Sequence, residues 1–322
     1  MKNMTDNLRV RAYAKINLFL DVTGRRADGY HLLNTVMQTI GLCDDLTFSV
    51  KEGAGGRDTL ILTDAEGLGR FEGIETDERN LVLRAVAALR ESCAERFPAG
   101  VRFDIRLEKR IPSGAGLGGG SADCAAALLA VDRMLGLGLT DDVLRETALS
   151  LGADVPFCLF GGTMRAEGIG EILTPLAEMP DCTIVIAKPA GSASTKEIYG
   201  ALDAMKEPAH PSWDDFLASL SAGGGSSDRL LRIGEQLDER ANILESVTAP
   251  LVPAVRELTG LLQANGACGA RMTGSGSAVY GLFAEEGTAQ AAVRTIRETG
   301  IAESIQMTGP VSARHIAGER FF

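Results

Sequence analysis

The chain has 322 residues, of which 45% are hydrophobic and 23% charged, with a formal net charge of -11. That length exceeds one ordinary core and predicts two domains of a soluble globular protein. The acidic balance argues against a protein that tracks nucleic acid, which needs a basic stripe, and no run approaches the ~20 apolar residues of a membrane-spanning helix.

The first element runs from Leu8 to Thr23. Its even positions, from Leu8 and Val10 to Leu20 and Val22, are all apolar, and its odd positions are mostly polar. Period-two alternation predicts a β-strand with one buried face. Lys15 and Asn17 then share the polar face and point off the core, and Lys15 alone reads as a solvated strand lysine. Its neighbour Gly24–His31 is a turn-rich loop ending in Tyr30 and His31. Residues 35–50 read as a second strand, and residues 51–80 as loops around a short strand at Thr59–Thr63. A helix over about 80–97 is signalled by Asn80 as N-cap and by apolar residues at helical spacing.

Val101, Phe103, Ile105 and Leu107 predict another strand, on which Arg102, Arg106, Lys109 and Arg110 read as a solvated face. The strand leads into Pro112 and Gly114-Ala-Gly-Leu-Gly-Gly-Gly-Ser121, followed by an Ala/Leu-rich helix. Thr140-Asp-Asp opens a further helix ending near Gly152, just before Asp154. Later elements are a strand at Cys182–Ala187, a helix at Ser194–Met205 and a polar insertion at Pro208–Ser227. Helices at about 250–264 and 287–299 flank a strand at Ala278–Phe283. Gly223-Gly-Gly-Ser-Ser227 reads as a flexible linker, because no Ala/Leu run follows it. A domain boundary is placed near residue 165, dividing 1–165 from 166–322.

Six scattered cysteines make no C-x-x-C pair, and His31, His210 and His315 have no metal-ligand spacing, so neither a zinc site nor a disulfide framework is expected. Reduced thiols and the lack of a signal-peptide apolar core predict a cytoplasmic protein.

Strand, glycine loop and helix in that order form a recipe for holding a polyphosphate. Glycines bring backbone N–H groups close to a ligand, and the helix adds its unpaired N–H groups and positive dipole end. The loop is not a P-loop, because no Gly-Lys-Ser/Thr follows. Gly114, Gly116 and Gly119 fit the Rossmann spacing, but the acidic residue after a second strand is missing. Ser121 offers a hydroxyl to phosphate or magnesium, or caps the helix. Asp154, by local pattern, reads as an Asx-turn aspartate.

Several blocks together resemble the GHMP kinase superfamily, which includes galactokinase and the homoserine, mevalonate and phosphomevalonate kinases. They are Ala14-Lys-Ile-Asn-Leu-Phe-Leu20, Arg26-Ala-Asp-Gly-Tyr-His31, Ile111–Ser121, Gly152-Ala-Asp-Val-Pro-Phe157, Gly168-Ile-Gly-Glu171, Asn242-Ile-Leu-Glu245 and Gly269–Gly276. Within the superfamily, Lys-x-Asn, Asp-Gly-Tyr-His and Gly-Ala-Asp-Val-Pro-Phe are similar to the members that phosphorylate the C2 hydroxyl of 4-diphosphocytidyl-2-C-methyl-D-erythritol, in the non-mevalonate route to isoprenoids.

The resemblance implies an α+β, two-domain GHMP kinase fold. Its N-terminal domain would be like ribosomal protein S5 domain 2 and its C-terminal domain ferredoxin-like. It implies Lys15 and Asp154 as the catalytic pair. It further implies ATP, with Mg2+, held at Pro112, Gly114, Ala115, Gly116, Leu117, Gly118, Gly119, Gly120 and Ser121. Asn17 and Thr195 would lie near the substrate, Tyr30 and Tyr199 would sandwich a cytosine ring, and His31 would hydrogen-bond it. No protein-held metal, nucleic acid or membrane is expected, and the chain is a monomer or homodimer. Ala122 and Cys124 depart from the family's usual serine and alanine. A kinase for homoserine or a mevalonate derivative, and a non-catalytic nucleotide-binding regulator, are the competing readings.

Overall fold

The alternating segment at the N-terminus forms β1 (Asn7–Arg25), which pairs along its length, antiparallel, with β2 (His31–Lys51). The computed structural model describes residues 7–51, 53, 56–64, 73–206, 208–238, 241–314, 316 and 321. His315 and, within the 51–80 loop region, residues 52, 54–55 and 65–72 lie outside them. The chain continues through β3 (Thr59–Asp64), α1 (Leu81–Ser92), β4 (Arg102–Lys109), α2 (Gly119–Leu135), α3 (Asp141–Leu151), α4 (Val155–Phe160), β5 (Thr163–Gly168) and β6 (Ile172–Pro175). These strands make one sheet in the order β3-β4-β2-β5-β6, with β1 on β2. Asn80 caps α1 by accepting the Val82 N–H, and Thr140 caps α3 from Val143. Helix α2 is alanine-rich and buried almost all round, from Ala122 to Leu135. Small side chains let it pack closely under the sheet and against α1 and α4, so its N-terminus is rigidly aimed.

The second half contributes β7 (Thr183–Pro189), α5 (Thr195–Asp203), α6 (Trp213–Ser221), α7 (Ser226–Asp238), α8 (Glu245–Leu251), α9 (Ala254–Ala264), β8 (Gly269–Met272), β9 (Val279–Phe283), α10 (Glu286–Thr299) and β10 (Ala302–Thr308). Its antiparallel sheet has the order β10-β7-β9-β8. Counted from β7, that is 4-1-3-2 with helical crossovers, the ferredoxin-like arrangement. The boundary expected near 165 falls inside β5, since the first sheet takes strands as far as Pro175.

Three expectations are corrected. Lys15 and Asn17 do not point to solvent: they are 5% and 3% exposed. Alternation identifies the more apolar face of a strand but not what covers the other face, and here the glycine loop and the second half cover it. Lys109 is buried as well, because it shares the inward parity of Phe103, Ile105 and Leu107. Finally, Gly223–Gly225 is a turn between two helices rather than a linker. Ser212 caps α6, and Phe216, Leu220, Leu230, Ile233 and Leu237 pack with Ile16 and Phe19 of β1. The Phe19 ring lies 5.5 Å from Trp213 and 5.3 Å from Phe216, so the insertion fastens the second half onto the first strand.

Candidate active site

A cleft of about 1520 Å3 opens between the two halves. Its lining brings together Lys15, Asn17, Tyr30, His31, Pro112, the loop Gly114–Gly120, Asp154, Thr195 and Tyr199. Ser121 is half-buried in the first turn of α2 and lies outside the lining.

The glycine loop is wedged between β1 and the loop after β8. Lys15 N–H donates to the Leu117 carbonyl (3.0 Å), and Ala278 N–H to that of Ala115 (3.2 Å). Gly116 has φ +75°, and a Cβ there would stand 2.1 Å from the Thr273 carbonyl oxygen. Gly118, with φ +70°, stands at the N-cap of α2, and its missing side chain makes room for the Lys15 stem. No side-chain cap bond is made at the start of α2, and its first residues, Gly119 and Gly120, line the cleft, so their N–H groups lack a capping side chain.

Across the loop, the Lys15 ammonium donates to Asn17 Oδ1 at 2.7 Å and lies 3.4 Å from Asp154 Oδ2. Asp154 occupies the N-cap position of α4, yet its carboxylate makes no cap bond there, and its side chain is 36% exposed. The expected Asx-turn role is replaced by an ion pair at the cleft. Every polar group of Asn17 is engaged: Nδ2 donates to Thr35 Oγ1 (2.8 Å), the N–H donates to Thr273 Oγ1 (2.9 Å) and the carbonyl accepts from Tyr280 (3.1 Å). Asn17 therefore fixes the Lys15 ammonium in place. Thr273 and Tyr280 escaped sequence reasoning, since their only signal is membership of, or nearness to, the Gly269–Gly276 block. That block is itself tied down by Asn242, which donates to the Met272 and Gly274 carbonyls.

The far rim carries the aromatic residues. Tyr30 is 60% exposed, whereas Tyr199 on α5 stacks on His31 with ring centroids 4.5 Å apart. Tyr199 thus already has a ring partner in His31. His31 Nε2 lies 2.7 Å from Asp203 Oδ1 at the end of α5, and Arg25 donates to Asp203 Oδ2 at 3.1 Å. Thr195 Oγ1 is 3.1 Å from Ser275 Oγ, linking α5 to the loop after β8. Arg25, Asp203 and Ser275 were not singled out from sequence.

Beneath the start of α2 lies a buried ionic cluster. Lys109 donates to Asp123 Oδ2 (2.9 Å) and to Asp44, whose Oδ1 also accepts from Ile111 N–H (2.9 Å). Burial, which outweighs the pull of Lys109 and is reinforced by the charge of Asp44, pushes the Asp123 carboxyl up to about 8. Burial alone would lower the Lys109 value, but Asp123 and Asp44 overcome it and hold the ammonium above the ordinary lysine range. Among the described residues, no group of three His, Cys, Asp or Glu side chains is placed to hold a metal ion. No helix among them is long and apolar enough to cross a membrane.

Residues 80–162 match the model for the GHMP kinases N terminal domain, and residues 226–302 that for GHMP kinases C terminal. The chain is 39% identical over 277 residues to a 4-diphosphocytidyl-2-C-methyl-D-erythritol kinase of Caldicellulosiruptor saccharolyticus, covering 86% of this chain and 88% of the relative. It is 40% identical over 290 residues to the enzyme of the same name from Geobacter sulfurreducens, covering 90% and 95%. Among solved structures, a 4-(cytidine 5'-diphospho)-2C-methyl-D-erythritol kinase superposes with a TM-score of 0.71 at 32% identity, covering 94% of this chain and 98% of that one. Homoserine kinase from Cytophaga hutchinsonii superposes with a TM-score of 0.73 at 18% identity, covering 97% and 96%, a likeness of fold alone.

Proposed function

Because the chain belongs to the 4-diphosphocytidyl-2-C-methyl-D-erythritol kinases of the GHMP kinase family, we infer that it transfers the γ-phosphate of ATP to the C2 hydroxyl of that diphosphocytidyl alcohol. The product is the 2-phosphate, an intermediate of the non-mevalonate route to isoprenoid precursors, made in the cytoplasm. The observation that carries the site assignment is the facing of Lys15 and Asp154 across the glycine loop, 3.4 Å apart.

In this reading ATP, carried as its Mg2+ complex, lays its phosphates on the N–H groups of Gly114–Ser121 and of the first turn of α2. Magnesium neutralises phosphate charge and is brought by the nucleotide. Asp154 is the general base. Its carboxylate takes the proton of the C2 hydroxyl as that oxygen bonds to the γ-phosphorus, and the bond from the γ-phosphorus to the ADP oxygen breaks. Lys15, 3.4 Å from that carboxylate, offsets the charge spreading over the transferred group. Asn17 holds Lys15 by its side-chain oxygen. On the far rim the base lies against Tyr30 and beside the His31–Tyr199 pair, with Thr195 near the substrate chain.

The test is ADP release with three acceptors: 4-diphosphocytidyl-2-C-methyl-D-erythritol, mevalonate and homoserine. Turnover is expected with the first. Faster turnover of either of the others would overturn the acceptor assignment, because neither has a base to stack on the rim.

A further inference from the structure

Asp203 takes no part in the chemistry above, yet it closes the far rim of the cleft. One carboxylate oxygen meets His31 Nε2 at 2.7 Å, and the other accepts from Arg25 at 3.1 Å. Arg25 also donates to the Gly29 carbonyl at 3.0 Å, so the turn carrying Tyr30 hangs on the same group. The hydrogen bond from His31, foremost, and the nearby Arg25 guanidinium hold the Asp203 carboxyl below the usual carboxylate range. An ionised carboxylate can only accept. His31 Nε2 must therefore carry a proton, and in the neutral ring Nδ1 then carries the lone pair. Stacking on Tyr199 occupies one ring face, and no partner of Nδ1 is recorded among the described residues.

We propose that Asp203 is a positioning residue for base selection: it holds His31 in the tautomer whose Nδ1 accepts, so that the site takes a base presenting an amino donor and rejects one presenting a carbonyl. The inference rests on the cytidyl reading of the far rim. Cytosine offers its exocyclic N4–H2 to that lone pair, whereas uracil sets O4 against it, two acceptors facing each other. A pocket built to pair a polar group discriminates strongly, because the wrong partner leaves a desolvated acceptor unmet.

Two measurements on the full chain test this. Steady-state kinetics compare the cytidyl substrate with its uridyl counterpart. Asp203→Ala should raise KM for the cytidyl substrate about tenfold and shrink the cytidyl-over-uridyl preference by a similar factor, with KM for ATP unchanged. Asp203→Asn, whose amide oxygen still accepts from Nε2, should restore most of the preference. An Asp203→Ala enzyme that keeps the full preference overturns the proposal, even if its KM rises. Separately, 15N spectra of the ligand-free protein, with His31 assigned through His31→Gln, should show a protonated Nε2 and a lone pair on Nδ1. They should show a tautomer mixture in Asp203→Ala. A proton on Nδ1 in the wild type also overturns it. If neither nucleotide substrate is turned over, the proposed function fails, and the spectra still decide the Asp203–His31 relation.

Discussion

The Lys15 ammonium and the Asp154 carboxylate meet at 3.4 Å, although β1 and the start of α4 that carry them are far apart in the chain. Only the lysine is deeply buried, while the carboxylate opens onto the cleft. An acid that caps nothing, held next to a fixed cation, is available to take a proton without unfolding its helix. Asp154→Asn should therefore lower kcat by at least ~100-fold with little change in Tm, since no cap bond is lost. Turnover within a few-fold of wild type, with ATP still bound, would remove Asp154 from the base role.

Gly116 tests the cradle. Its φ of +75° suits glycine, and an added Cβ would collide with backbone, the Thr273 carbonyl oxygen at 2.1 Å, rather than with a side chain able to swing away. Gly116→Ala must push the loop and the segment after β8 apart, displacing the N–H groups proposed to hold the ATP phosphates. The expected result is a KM for ATP raised more than about tenfold, together with a Tm lowered by several degrees, roughly 1–3 kcal/mol of backbone strain. Equilibrium nucleotide binding and calorimetry on the same sample check both.

The amino-acid pattern carried the local elements well where one side of a segment is dry and the other wet. The caps at Asn80 and Thr140, the strand before the glycine loop and the helix after it all follow from short-range chemistry. It failed where burial comes from distant chain. Lys15 and Asn17 look solvated because nothing within β1 reports that Thr273 and Tyr280 will cover them. Lys109 looks like part of a basic face because its counter-charges, Asp44 and Asp123, lie on other elements. The helices α6 and α7 look like polar insertion because the glycines and serines between them and the surrounding charged residues dominate the local pattern, while the partners of Phe216, Leu220, Leu230, Ile233 and Leu237 lie on distant β1, β7 and β9. Roles at the site came from family motifs, whereas Asp203 and Arg25 lie outside the motif core and needed coordinates to appear.

Tyr30 separates recognition from chemistry. Its ring is 60% exposed and no core contact depends on it, so Tyr30→Ala should leave Tm unchanged. If the ring covers the base, KM for the cytidyl substrate rises by about five- to tenfold, the worth of one aromatic stack, while KM for ATP and kcat stay near wild type. An unchanged KM for the cytidyl substrate would remove Tyr30 from the recognition surface.

The buried cluster under α2 makes stability depend on pH in a direction opposite to that of most carboxylates. Burial pushes the Asp123 carboxyl up to about 8 in the folded chain, against roughly 3.9 when unfolded. A raised folded value means the stabilisation is fully present below the unfolded value and is lost as pH rises through about 8. The cause is local: above that pH, Asp44 and Asp123 are both charged and share one ammonium, Lys109, in a nearly buried site at the floor of the cleft. Asp123→Asn mimics the protonated acid, its amide oxygen still able to accept from Lys109. Wild type and variant should therefore melt together at pH 5. At pH 9 the variant should melt higher by about 3 °C or more, because it cannot acquire the second buried charge. Scanning calorimetry across that range decides it: a constant difference between the two proteins would mean that Asp123 does not titrate in the folded state over this window.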